Sequence, residues 1–377
     1  MAQGTARKGD CDVILHRYFA RRFLVTFLGI LTVFFLLLAL IDLVEQLRRF
    51  SADGIGFRRI AQLTLLNMPK AISDILPLVM ILSTITLFLG LARSSELVVT
   101  RASGRSALVA LIAPVIVAFA IGALAVAMLN PIVAATSKRY ASLFENYRFG
   151  VTDVLSISRE GLWLRQGDTS GQTVIHAERA NPDGTVFYDV TFLSYAPEGG
   201  PLRRIEAREA VLAPGAWEAK DVKVWPLGLD MNPEAMAETL DSLTIPSDLT
   251  QERIRDSFGQ PEAISIWDLP DYVARLEEAG FSARRHLVWF QMEMARPLFL
   301  TAMVLLGAAF TMRHVRAGGT GVAVLTAVML GFALFYIRNF AQILGENGQI
   351  PILLAAWAPP VASVLLALGI LLNMEEA

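Results

Sequence analysis

FLVTFLGILTVFFLLLALIDLV, residues 23–44, is the stretch that decides the fold. It carries one charge, Asp42, close to its end. About 20 apolar residues at 1.5 Å per residue cross the hydrocarbon core of a bilayer, and this run reaches that length. A secretory leader has an apolar core of only about 7–15 residues and a small-residue cleavage site. With Arg7, Lys8, Arg17, Arg21 and Arg22 ahead of it, the run reads as an uncleaved first span.

Working outward, apolar stretches recur at 71–91, 107–129, 287–312, 322–340 and 352–372, making six spans in all. The chain is 54% hydrophobic and 18% charged. A soluble domain carries about 25% charge, so the deficit matches several lipid-facing helices. A net charge of −2 gives no reason to expect nucleic acid as a partner. Cys11 is the single cysteine, which excludes an internal disulfide. His16, His176, His286 and His314 are too scattered to suggest a metal site, and no cofactor motif is present.

Between the third and fourth spans, residues 134–284, charge becomes frequent and the period changes to two. VFYDVTFL (186–193) lies between the turn signals NPDG (181–184) and PEGG (197–200). Residues 172–180, 202–212, 217–225 and 238–245 read the same way, so five or more short strands form an antiparallel sandwich or roll. A short helix follows, with Asp268 as N-cap, Asp271 in the first turn and Gly280 at its end. Leu269, Tyr272, Val273 and Leu276 share one of its faces. The chain therefore divides into 1–133 (three spans), 134–266 (β domain) and 267–377 (linker helix and three spans). Basic residues near the span ends are almost evenly shared between the two sides, with a slight excess that puts the N-terminus in the cytoplasm and the β domain outside it.

Two features could carry function. The connection between spans two and three reads ARSSELVVTRASG, 92–104. Ser94 or Ser95 can cap a helix, Glu96 suits its first turn, Arg101 its last, and Gly104 its end. A short capped helix at a membrane face can dock a partner and push on the spans at both its ends, and it can equally be a plain interfacial helix. The second feature is cationic: Arg48 and Arg49 after span one, Lys70 at the start of span two, and Lys138 and Arg139 after span three. Such groups can bind lipid phosphates, or can simply snorkel and fix helix depth. Lys70 and Asp74 stand four apart and can pair on one helix face, the arrangement an ion-coupled transporter could use. No Gly-x-x-x-x-Gly-Lys-Ser/Thr loop, His-Glu-x-x-His or Gly-x-Ser-x-Gly occurs, so any uphill work draws on a partner or an ion gradient.

Taken together, IDLVEQLRR (41–49), PK (69–70), SELVVTRASG (95–104), LPDYVARLEEAG (269–280) and GQIPILLAAWAP (348–359) resemble the LptF/LptG permeases of the lipopolysaccharide export ABC transporter, nearest to the G-type subunit. The resemblance covers essentially the whole chain. It implies three spans, a jelly-roll-like periplasmic domain and three further spans in the inner membrane of a Gram-negative bacterium. Ser95, Glu96, Leu97, Val98, Arg101 and Gly104 would belong to a coupling helix seated on a cytoplasmic ATPase dimer, and the chain itself would not be an enzyme. An F-type permease would complete a heterodimer, and a bitopic bridge protein would lie beside span one and receive lipopolysaccharide. Arg48, Arg49, Lys70 and Lys138, with Arg139 beside it, match places where relatives hold lipid phosphates. At Asp42 the chain departs from relatives that carry lysine. Apart from the resemblance, a membrane sensor with an external β domain and no cargo fits the same residues.

Overall fold

Inside a bilayer every backbone N–H and C=O must be satisfied within the segment, so apolar runs of this length become helices. They do so in the computed structural model of the chain. It describes all residues except 1–2, 52–54, 95, 97–106, 150–155, 159–160, 169–170, 182–183, 197–199, 228–231, 248, 251–253, 255–259, 313–319 and 377. Helices α1 (Gln3–Arg49), α2 (Phe57–Arg93) and α3 (Ala107–Leu124) come first. A single π-helical turn (Ala125–Leu129) joins α3 to α4 (Asn130–Phe149). After the strands come α5 (Leu269–Glu278), α6 (Arg284–Met294), α7 (Arg296–Thr311), α8 (Thr320–Glu346) and α9 (Ile352–Glu376). Among the described residues five helical segments are long and apolar enough to span, and α6 with α7 makes a sixth if its 47° bend is allowed. Pro297 opens α7 just past that bend, where its missing N–H costs nothing.

The chain forms two compact units, Met1–Phe144 with Leu287–Ala377, and Glu145–His286. In the helical unit α7 is central: almost every residue from Pro297 to Ala309 is buried. It packs on α2, α3 and α9. Gly122 lets α3 close on it, since a Cβ there would sit 2.5 Å from the Pro297 Cα. By contrast α1 is peripheral. Phe19, Phe23 and Phe27, one turn apart, are its buried ridge, while Val25, Leu28, Val33, Leu36, Leu40 and Val44 are exposed.

The second unit is one seven-stranded antiparallel sheet in chain order: β1 (Ser156–Ser158), β2 (Gly161–Asp168), β3 (Gly171–Ala180), β4 (Val186–Tyr195), β5 (Pro201–Ala213), β6 (Ala216–Pro226) and β7 (Glu238–Pro246). The sheet curls into a roll. Gln166 on β2 donates to the Pro246 carbonyl (3.2 Å) and accepts from the Ser247 hydroxyl (2.7 Å), joining the second strand to the end of the seventh. A crease crosses β3 to β7 where pairing skips one position in each, at Glu178, Asp189, Arg208, Asp221 and Asp241. Asp189 and Asp221 adopt positive φ (54° and 51°), and Asp is among the few side chains that tolerate that region. The inward face slips by one residue there: Phe187 is followed by Val190, Ala207 by Ala210 and Ala219 by Val222. Strands β3 to β7 slip together, so the register between them is kept on both sides.

Helix α5 buries Leu269, Val273 and Leu276, the face expected from the sequence. The expected Asp268 cap is not made. Asp268 is already helical in its backbone, makes no side-chain cap bond, and Pro270 opens the helix beside it. Gly280 ends α5 at φ +87°, with Phe281 N–H on Leu276 O and Gly280 N–H on Glu277 O, a Schellman closure. No other residue fits, because a Cβ there would lie 2.2 Å from the Ala180 carbonyl oxygen.

Candidate functional site

Of the expected coupling residues, Ser95, Leu97, Val98, Arg101 and Gly104 lie outside the described residues. Glu96 is described, and its carboxylate is bound to α1. Arg22 Nη1 lies 2.8 Å from both Glu96 oxygens, and the Tyr18 hydroxyl donates to Oε2 at 2.8 Å. Ser94, just past the end of α2, donates to Oε1 at 2.8 Å. Tyr18 and Arg22 stand one turn apart on α1, and Arg22 also donates to the Tyr18 hydroxyl. The Arg22 hydrogen bonds hold the Glu96 carboxyl below the usual carboxylate range against partial burial, with Ser94 and Tyr18 adding to the effect. The sequence offered Glu96 only as a residue of the 92–104 segment; its partners on α1 are more than seventy residues away.

The five expected cations fall at two depths. Arg48 and Arg49 are exposed at the end of α1, where Arg49 pairs with Glu45 (2.5 Å) and covers the Phe144 ring at 5.8 Å. Lys138 and Arg139, exposed on α4, sit beside Tyr140, whose hydroxyl accepts from Gln46 at 2.8 Å. These four share one end of α1 and α4. Lys70 is elsewhere. Asn67 donates to Asp42 at 2.8 Å, which fixes the register of α2 against antiparallel α1. Three residues further, Lys70 is level with about residue 39, roughly 15 Å along the axis from Arg49 at 1.5 Å per residue.

A third group was not singled out from the sequence. At the α6–α7 bend the fully buried Glu293 faces Arg296, with Oε1 3.1 Å from Nη2 in an ion contact off the hydrogen-bond axis. Arg296 donates to Ser73 on α2 (2.8 Å), and Asn130, first residue past the π turn, reaches the other Glu293 oxygen at 3.4 Å. Buried Arg338 on α8 lies over Phe299 (5.3 Å) and in the field of Arg296, Glu293 and Asp74. Glu and Arg three apart inside an apolar run were the available signal, because an intramembrane charge needs a partner.

Apolar helices of spanning length in one unit and an antiparallel β roll in the other define a polytopic membrane protein with a separate β domain. The family model for the lipopolysaccharide export system permeases LptF/LptG matches residues 17–373, and the chain belongs to that family. It is 26% identical over 360 residues to the lipopolysaccharide export system permease protein LptG of Escherichia coli K12, covering 94% of each chain. It is 23% identical over 367 residues to LptG of Haemophilus influenzae, covering 93% of this chain and 96% of that one.

Proposed function

We propose that the chain is a permease subunit of an ABC transporter that extracts lipopolysaccharide from the inner membrane and passes it to a periplasmic bridge toward the outer membrane. The observation that carries this reading is the family match at 17–373, which takes in both units, together with full-length likeness to LptG proteins. A separate ATPase dimer supplies the energy and seats against the segment 95–104 on the cytoplasmic side. An F-type permease completes the conduit, and the β roll, on the periplasmic side, hands lipid to a bitopic bridge protein. Arg48, Arg49, Lys138 and Arg139 share one end of the bundle and meet the phosphates of arriving lipid; Lys70 meets cargo deeper in the conduit. The chain itself hydrolyses nothing.

The test is reconstitution of the chain with its ATPase, F-type permease and bridge partners in proteoliposomes, reading ATP-dependent release of lipopolysaccharide to a periplasmic acceptor. Release that needs ATP and all partners supports the reading. Lipopolysaccharide that never leaves the vesicles, with the complex intact and hydrolysing ATP, overturns it.

A further inference from the structure

Near its C-terminal end α1 is pinned by two side-chain bonds, and each leaves an oxygen over. Asn67 on α2 donates to Asp42 Oδ1 at 2.8 Å, and Gln46 donates to the Tyr140 hydroxyl of α4 at 2.8 Å. Asp42 Oδ2 and Gln46 Oε1 are both shut off from solvent and take no hydrogen bond from any described residue. Thr64 Oγ1 on α2 is buried and unpartnered in the same way. Gln46 and Thr64 are 2% and 5% exposed.

These three oxygens belong to one place. Asp42 and Gln46 stand one turn apart on α1, as Thr64 and Asn67 do on α2. The Asn67–Asp42 bond sets the register of the antiparallel pair, so Thr64, three residues back from Asn67, is level with about residue 45 of α1. The oxygens therefore gather within about one helical turn along the α1–α2 seam. Carboxylate, amide and hydroxyl oxygens are the ligands of hard cations. Asp42 brings a full negative charge, and its one partner among the described residues is the neutral Asn67 amide. A buried carboxylate answered only by a neutral donor is costly. A water would offer two hydrogens to three acceptors and leave the charge uncompensated. Magnesium keeps several waters of its own, and calcium takes about 6–8 oxygens, more than this closed corner supplies. A monovalent ion balances the single charge with the oxygens present.

We propose that Asp42, Gln46 and Thr64 hold a monovalent cation of the sodium class between α1 and α2. The ion ties the two helices, and α4 through Gln46, at a corner that the two hydrogen bonds alone leave charged. The site is independent of what the permease carries.

The experiment uses the full chain, purified in detergent in choline chloride and then given sodium at constant ionic strength. Radiolabelled sodium should bind saturably, at about one ion per chain. At a hundredfold excess over its dissociation constant, sodium should raise the melting temperature by about 5 °C over choline. Asp42→Asn should abolish both effects, and in choline it should melt at or above the parent, because the unanswered charge is gone. Thr64→Val keeps the shape and removes one oxygen, and should weaken sodium binding about tenfold, the value of one interaction with a charged group. Asp74→Asn, which changes the acid of α2, should bind as the parent does. Absence of saturable binding, with equal melts in sodium and choline, overturns the proposal and is the result an ordered water would give. Binding lost in Asp74→Asn but kept in Asp42→Asn puts the ion elsewhere and also overturns it. Stabilisation by magnesium or calcium alone overturns the monovalent assignment. If Asp42→Asn fails to fold, Thr64→Val decides, and a sodium affinity equal to the parent's overturns the site.

Discussion

Two ion pairs in the helical unit make an instructive contrast. Glu293 and Arg296 are three residues apart, with side chains 0% and 11% exposed. Arg22 and Glu96 are far apart in sequence and about one-third exposed. In the first, the pair is formed as soon as the α6–α7 bend is formed, and it lies where water cannot replace either partner. The second joins two elements that the chain could hold apart, near enough to solvent that each partner has an alternative. Buried pairs are hard to break because the survivor is an uncompensated charge; exposed pairs are weak because water competes. The first is suited to a fixed point, the second to a contact that can change during a cycle.

The sharpest way to break this contrast is to remove one buried partner. Glu293→Ala is expected to cost about 3–5 kcal/mol, the usual consequence of orphaning a buried charge. It should show as a collapse in the yield of folded, monodisperse protein and in its melting temperature in detergent. Replacing both partners, Glu293→Gln with Arg296→Met, should cost clearly less than Glu293→Ala; a double variant as damaged as the single would show that the pair is not self-contained. Ser73→Ala removes a hydrogen bond to a charged donor and should cost about 2 kcal/mol by the same melt. Arg22→Ala belongs at the other end of the scale, within about 1 kcal/mol, and the melting difference from the parent should shrink in high salt. A stability loss there as large as at Glu293 would erase the distinction.

The smallest expected effect is with pH. Glu96 has its carboxyl held below the usual range by the Arg22 hydrogen bonds. A depressed carboxylate contributes its link above its free value and loses it as pH falls through the lowered one. Crosslinking of cysteines placed at positions 18 and 96 would destroy the link, so the readout is better taken from a probe beside it on α1. That signal should stay unchanged from neutral pH to below the ordinary glutamate range, and the Arg22→Ala protein should lose this plateau.

Much of the architecture was legible because it is written in runs. Length and lack of charge gave the helices of spanning length, five among the described residues and a bent pair where the sixth was expected. Alternation between turn signals gave five strands close to their observed limits, including 186–193 within β4. Strands β1 and β2 were missed: in Gly161–Asp168 the inward residues Leu162 and Leu164 alternate with Trp163 and Arg165, but no β-branched residue marks the segment. Asp268 misled because cap preference is a statement about residue type, while Pro270 and a helical backbone at Asp268 had already set the start of α5. The candidate site was legible only as separate pieces. Glu96 could be picked from its segment, and Arg48, Arg49, Lys138 and Arg139 from their charge. That Glu96 meets Arg22, or that Lys70 lies a different distance along the bundle, depends on which faces of α1 and α2 pack together, and no local pattern carries that.

The π turn at Ala125–Leu129 also sets an angular offset. A turn closed from i to i+5 holds one residue more than an α turn, so everything after it is rotated about the helix axis by one residue's share, about 100°. Asn130 beneath Glu293 and Tyr140 against Gln46 both owe their azimuth to that inserted residue. Deleting one residue within 125–129 would leave α3 where it is and turn α4 like a key, carrying Lys138 and Arg139 to a different side of the bundle. The length of that short segment, more than its composition, aims this end of the helix.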